Sequence, residues 1–133
     1  MPSPLETNAS QHLVIALGDP AGIGMEVTLK ALASNTLPAS LQPVLVGCRR
    51  SLMATHARLL QQGHTTVADP SRLIVDDQPL EIAFQPGEPT TAGAAAGFRW
   101  LTRAVESVQQ GQGRALVTAP IAKHPVSYTH LTL

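Results

Sequence analysis

Between Leu17 and Met25 the chain reads Gly18-Asp19-Pro20-Ala21-Gly22-Ile23-Gly24. Three glycines let backbone N–H groups come close to a ligand, and a helix opening behind them favours an anion at that point. No Gly-Lys-Ser/Thr follows, so the segment is not a P-loop, and Pro20-Ala21 spoils the Gly-x-Gly-x-x-Gly dinucleotide spacing. A tight strand-to-helix turn with no ligand would use the same residues. Gly18, Asp19, Gly22 and Gly24 are therefore candidate cleft residues rather than an assigned phosphate cradle. A second candidate is Thr118-Ala119-Pro120-Ile121-Ala122-Lys123. Thr118 offers a hydroxyl to a phosphate or hydroxy-acid, and Lys123 offers a point charge to an anion. The plainer reading of the same residues is a solvated lysine after a proline-stopped strand. The third is Pro89-Thr90-Thr91-Ala92-Gly93, where a threonine capping a helix is preferred over ligand contact.

Other reactive side chains form no recognisable constellation. The five histidines follow neither the His-Glu-x-x-His pattern nor a Cys/His cluster, and surface or packing roles are preferred for them. Asp76-Asp77 could be a metal pair but more often ends a strand in a turn. Cys48 is the single cysteine, which excludes an internal disulfide and fits a reducing compartment. With no base to form a dyad, it reads as a small buried residue at a strand end rather than a nucleophile.

The elements that must hold these residues follow from the apolar pattern. His12 to Leu17 and Pro43 to Gly47 are short apolar runs ending in glycine, as buried strands do. Met25, Leu29 and Leu32 fall on one helical stripe that ends near Asn35 and Pro38. Arg50 to Gln62 predicts a second helix, with Leu52, Leu59 and Leu60 inward and Gly63 as its C-cap. Leu73 to Val75 predicts a third strand stopped by Asp76-Asp77, and Ile82 to Phe84 a short fourth one. The longest helix starts at Thr90 or Thr91, with Ala94, Phe98, Leu101, Val105 and Val108 at helical spacing. Gly93 and Gly97, four apart, allow a neighbour's backbone to approach. Ala115 to Thr118 is the next strand. Strands alternating with helices predict an α/β fold, a parallel sheet with helices on both faces. No internal repeat or low-complexity segment is present.

The bulk numbers bound the function. A chain of 133 residues with 44% hydrophobic content suits one modest core. Nine basic residues balance nine acidic ones, so nothing points to a nucleic-acid partner. No apolar run is long enough to cross a bilayer, and Met1 to Gln11 has no basic n-region, so it reads as a disordered lead-in and not a signal peptide. A cytoplasmic location is expected.

The stretch 125–133 breaks the pattern. Codons for Val126 to Leu133 can be written GTC TCT TAT ACA CAT CTG ACG CTG, which looks like a transposon mosaic-end adapter of sequencing libraries read into its flanking primer. The two bases before it, CT, can close a codon for Pro125. We therefore expect the genuine sequence to stop near His124, with 12–124 as the domain proper and 125–133 not native. On that expectation Tyr128 and His130 carry no chemistry. The alternative is a native strand over Val126 to Leu133.

Three segments in this order are more specific than any alone. Leu17 to Gly24, Thr91 to Phe98 and Ala115 to Lys123 together resemble the 4-hydroxythreonine-4-phosphate dehydrogenase family, over His12 to about His124. The resemblance implies part of a two-domain fold like that of isopropylmalate and isocitrate dehydrogenases. It implies oxidation of the secondary alcohol of a phosphorylated hydroxy-amino acid with NAD or NADP, followed by loss of carbon dioxide. It also implies a homodimer and a divalent metal (zinc, magnesium or cobalt) that polarises the alcohol and stabilises the enolate. A related threonate or erythronate 4-phosphate dehydrogenase, or a stand-alone phosphate-binding module, remains open. The family's Gly-His-Thr-Glu segment is expected shortly after Lys123 and is missing, as are its metal-binding histidines. No catalytic or metal-binding role therefore transfers to any residue here, and the chain alone is expected to be inactive, insoluble or molten. Met25 departs from the family's usual proline at that helix start, which should soften the loop slightly.

Overall fold

The computed structural model describes residues 11–34 and 37–119. Expectations for the lead-in, for Lys123 and for 125–133 fall outside them. The elements are β1 (His12–Ala16), α1 (Gly24–Leu32), β2 (Gln42–Gly47), α2 (Arg49–Gln61), a 3-10 turn (Pro70–Arg72), β3 (Ile74–Asp77), α3 (Thr91–Gln109) and β4 (Ala115–Thr118).

The strands form one sheet in the order β3-β2-β1-β4, with every neighbouring pair parallel. The apolar runs explain this, because strands covered on both faces read as near-continuous hydrophobic sequence. Adjacent residues of β1 face opposite layers. Ile15, with its registered partner Val117, borders the α1 residues Val27, Thr28 and Ala31. Val14 lies at the other face, by Val108 of α3 and Gly113. Helices thus cover both faces of the sheet, as expected. The core joins Val14, Ile15, Leu45 and Val46 to Leu29, Leu52, Leu59 and Trp100, all buried.

The helix ends follow their local chemistry. Gly63 sits at φ 90° after α2, where its N–H donates to the Leu60 carbonyl and the His64 N–H to Leu59. That is a Schellman cap, and glycine takes the left-handed conformation at least cost. Gly111 closes α3 the same way, with Gly111 and Gln112 donating to Val108 and Ser107. Lys30 and Arg58 both reach Glu26, at 2.9 and 3.7 Å, tying α1 to α2.

Three expectations are corrected. Ile82 to Phe84 is not a strand but part of the irregular connector between β3 and α3. The chain leaves β3, an outer strand, to add β4 on the far side of β1, and Phe84 turns toward Gly93 instead of extending the sheet. The buried face of α3 is Gly93, Ala96, Gly97, Trp100 and Ala104, rotated from the expected stripe; Phe98 is 55% exposed. The helix seats its small residues against the Gly18–Asp19 backbone, and Leu101 and Val108 pack only at the flanks. Leu60 is half exposed, not inward. In addition, Asp76 and Asp77 finish β3 instead of stopping it. Asp76 Oδ2 accepts from Arg103 Nε at 2.9 Å, and Asp77 Oδ1 from the Arg49 N–H at 2.8 Å.

Candidate cleft at the carboxyl ends of β1 and β4

The sheet order contains a reversal. After β1 the chain steps outward to β2 and β3, then returns to lay β4 along the other side of β1. The carboxyl ends of β1 and β4 thus lie side by side at the reversal, the place where ligands of open α/β sheets sit. The first sequence candidate and the start of the second, Thr118 and Ala119, fall there, the rest of the second lying outside the described residues. The loop Gly18–Gly24 leaves β1, and Thr118 is the last residue of β4, in register with Ala16.

The loop is built by close packing. Gly18 takes φ 78°, the left-handed region, to turn the chain out of the strand. Asp19 folds inward and is 1% exposed. Its Oδ1 accepts from the Ala21 N–H at 2.8 Å, while its carbonyl accepts from the Gly22 N–H at 2.9 Å. These two bonds make 19–22 a self-stapled turn. A Cβ on Gly24 would stand 2.1 Å from the Leu17 carbonyl oxygen and 3.1 Å from Ala119 Cβ. Gly24 thus lets α1 begin directly against the ends of β1 and β4. The third candidate segment joins them. Cβ atoms added at Gly97 and Gly93 would meet the Asp19 nitrogen at 3.0 Å and Asp19 Oδ1 at 2.8 Å. The connector closes over the loop with a hydrogen bond from Gly87 N–H to the Ala21 carbonyl, 2.8 Å.

The electrostatics are mixed. The first turn of α1 has no side-chain cap, so its amide donors keep the anion preference of a helix start. Gly22 offers no such donor, being bonded to Asp19. Thr90 caps α3 through Oγ1, which accepts from the Gly93 N–H at 3.0 Å, as the capping reading expects. The start of α3 packs against the Asp19 side chain. Asp19 Oδ2 is buried with no hydrogen-bond partner among the described residues. An aspartate in a glycine loop reads as solvent-facing, and only the packing reveals it as an internal anchor. Of the remaining candidates, Thr118 is exposed, and Lys123 lies outside the described residues.

Cys48 follows β2 directly and is 3% exposed, in keeping with the packing role expected of it. Burial pushes its thiol up, but the Ser51 hydroxyl and the amides of Ser51, Leu80 and Arg50 outweigh this and hold it below the ordinary thiol range. Among the described residues no three His, Cys, Asp or Glu side chains are grouped so as to hold a metal ion. None of their helices is long and apolar enough to cross a membrane.

An open parallel α/β sheet with a glycine loop at its switch point defines a class of folds that take ligands beyond the carboxyl ends of their strands. Comparison with known proteins narrows the class. The chain belongs to the family of the pyridoxal phosphate biosynthetic protein PdxA, whose model matches residues 39–132. It is 57% identical over 112 residues to a 4-hydroxythreonine-4-phosphate dehydrogenase of Synechococcus sp. (strain RCC307), covering 84% of this chain and 33% of that protein. It is 29% identical over 125 residues to a D-threonate 4-phosphate dehydrogenase of Pectobacterium atrosepticum, covering 86% of this chain and 38% of that protein. A crystal structure of 4-hydroxythreonine-4-phosphate dehydrogenase from Klebsiella pneumoniae superposes with a TM-score of 0.68 at 28% identity. That match covers 90% of this chain and 40% of the other. The chain thus spans about a third of the length of the curated relatives it matches.

Proposed function

We propose that the chain is the N-terminal part of an NAD- or NADP-dependent dehydrogenase that oxidises the secondary alcohol of 4-phosphooxy-threonine, with decarboxylation of the keto acid. The observation that carries the reading is the family match combined with a glycine loop at the switch point. In this reading Gly18, Asp19, Gly22, Gly24 and Thr118 belong to the cleft, and Lys123 is assigned there from sequence alone. The uncapped first turn of α1 suits an anionic group of substrate or cofactor. The described residues do not fit a divalent metal, since they bring no donor set together. Its ligands would come from elsewhere in the polypeptide. The reading also includes a two-domain architecture like that of isopropylmalate and isocitrate dehydrogenases, a homodimer, and a cytoplasmic location. The 133-residue chain by itself is then inactive, because it carries no catalytic residue we can name.

A second substrate, D-threonate 4-phosphate, is favoured by the Pectobacterium relative. The experiment has two stages. Long-read sequencing of the source locus past codon 124 tests whether the frame continues into Gly-His-Thr-Glu. The match of the family model runs to residue 132, into the suspected adapter stretch, so a native origin for 125–132 is the competing result. The product of the complete gene is then assayed for nicotinamide reduction with each phosphate ester. Reduction with 4-phosphooxy-threonine supports the first reading. Reduction with threonate phosphate alone selects the second, and none with either refutes both.

A further inference from the structure

We draw no further inference here: the strongest candidate, the Asp19 carboxylate buried beneath the start of α3 with its Oδ2 unpartnered among the described residues, belongs to the cleft already described.

Discussion

Replacing Gly24 by alanine puts the packing account of the loop at risk. In most helices this change stabilises, by up to about 1 kcal/mol, because alanine is the better helix former. Here the added Cβ would sit 2.1 Å from the Leu17 carbonyl oxygen and 3.1 Å from Ala119 Cβ. Gly24 is not in the left-handed region, so the penalty is steric alone. The obstructing backbone is also held in place. Leu17 N–H donates to Val46 at 3.1 Å, and Ala119 N–H to Ala16 at 2.9 Å. Retreat would stretch ladder bonds worth about 1 kcal/mol each, and forced methylenes in packed sites cost about 1–3 kcal/mol. The balance predicts a net loss of about 2 kcal/mol. Gly63→Ala is the control: φ is 90° there and nothing lies within 4 Å of the new Cβ, so only strain of about 1 kcal/mol applies. Urea unfolding of the complete gene product, with m-values compared, measures both. The reasoning is refuted if Gly24→Ala is as stable as the parent, or loses less than Gly63→Ala.

Other outcomes follow from the same geometry. Thr90→Ala removes the acceptor for Gly93 N–H and should cost about 1 kcal/mol, while Thr90→Ser should restore most of it; urea midpoints decide. The Lys30 hydrogen bond holds the Glu26 carboxyl below its ordinary range, against burial, with further help from the Lys30, Arg58 and His64 charges. A depressed folded-state value means its contribution is present above the unfolded pKa and disappears as pH falls through the folded one. Stability should therefore decline below about pH 4. Glu26→Gln should flatten that part of the pH profile, and added salt should shrink the effect, because the pair is partly exposed. The 133-residue chain expressed alone should bind a hydrophobic dye and melt without cooperativity, since Val117, Ile74 and Phe98 are each more than 40% exposed. A sharp calorimetric transition from that chain would contradict this.

Much of the architecture was legible because buried parallel strands leave a simple trace. The runs at Val14, Val44 and Leu116 had only one economical reading, and glycines at 63 and 111 punctuated the helices as their caps required. The third helix was misjudged for a physical reason. The apolar spacing of Phe98, Leu101, Val105 and Val108 outweighs small residues on any hydropathy reading, yet close approach to a backbone selects glycine and alanine. The Gly93/Gly97 pair held the correct signal. Ile82 to Phe84 has strand-like composition, but a strand exists only where a neighbour can pair with it, and no local pattern encodes that. The cleft segments were identifiable from type and spacing, whereas the inward turn of Asp19 was not. The Ala21 N–H bond is local, but burial of the carboxylate needs the start of α3 packed over it, and that contact is tertiary.

The sheet order also governs when these four strands can come together during synthesis. Leu13 pairs with Ala115, so the first strand made must wait about a hundred residues for its second neighbour. Until β4 emerges from the ribosome, β1–β3 form a sheet whose most apolar strand is an open edge, a template for pairing with other nascent chains. Messages or degradation products ending before codon 115 would release that half-sheet into the cell, where chaperones and proteases compete with aggregation for it. Bringing the two cleft strands together and covering the β1 edge are thus a single event, performed by the same four residues of β4.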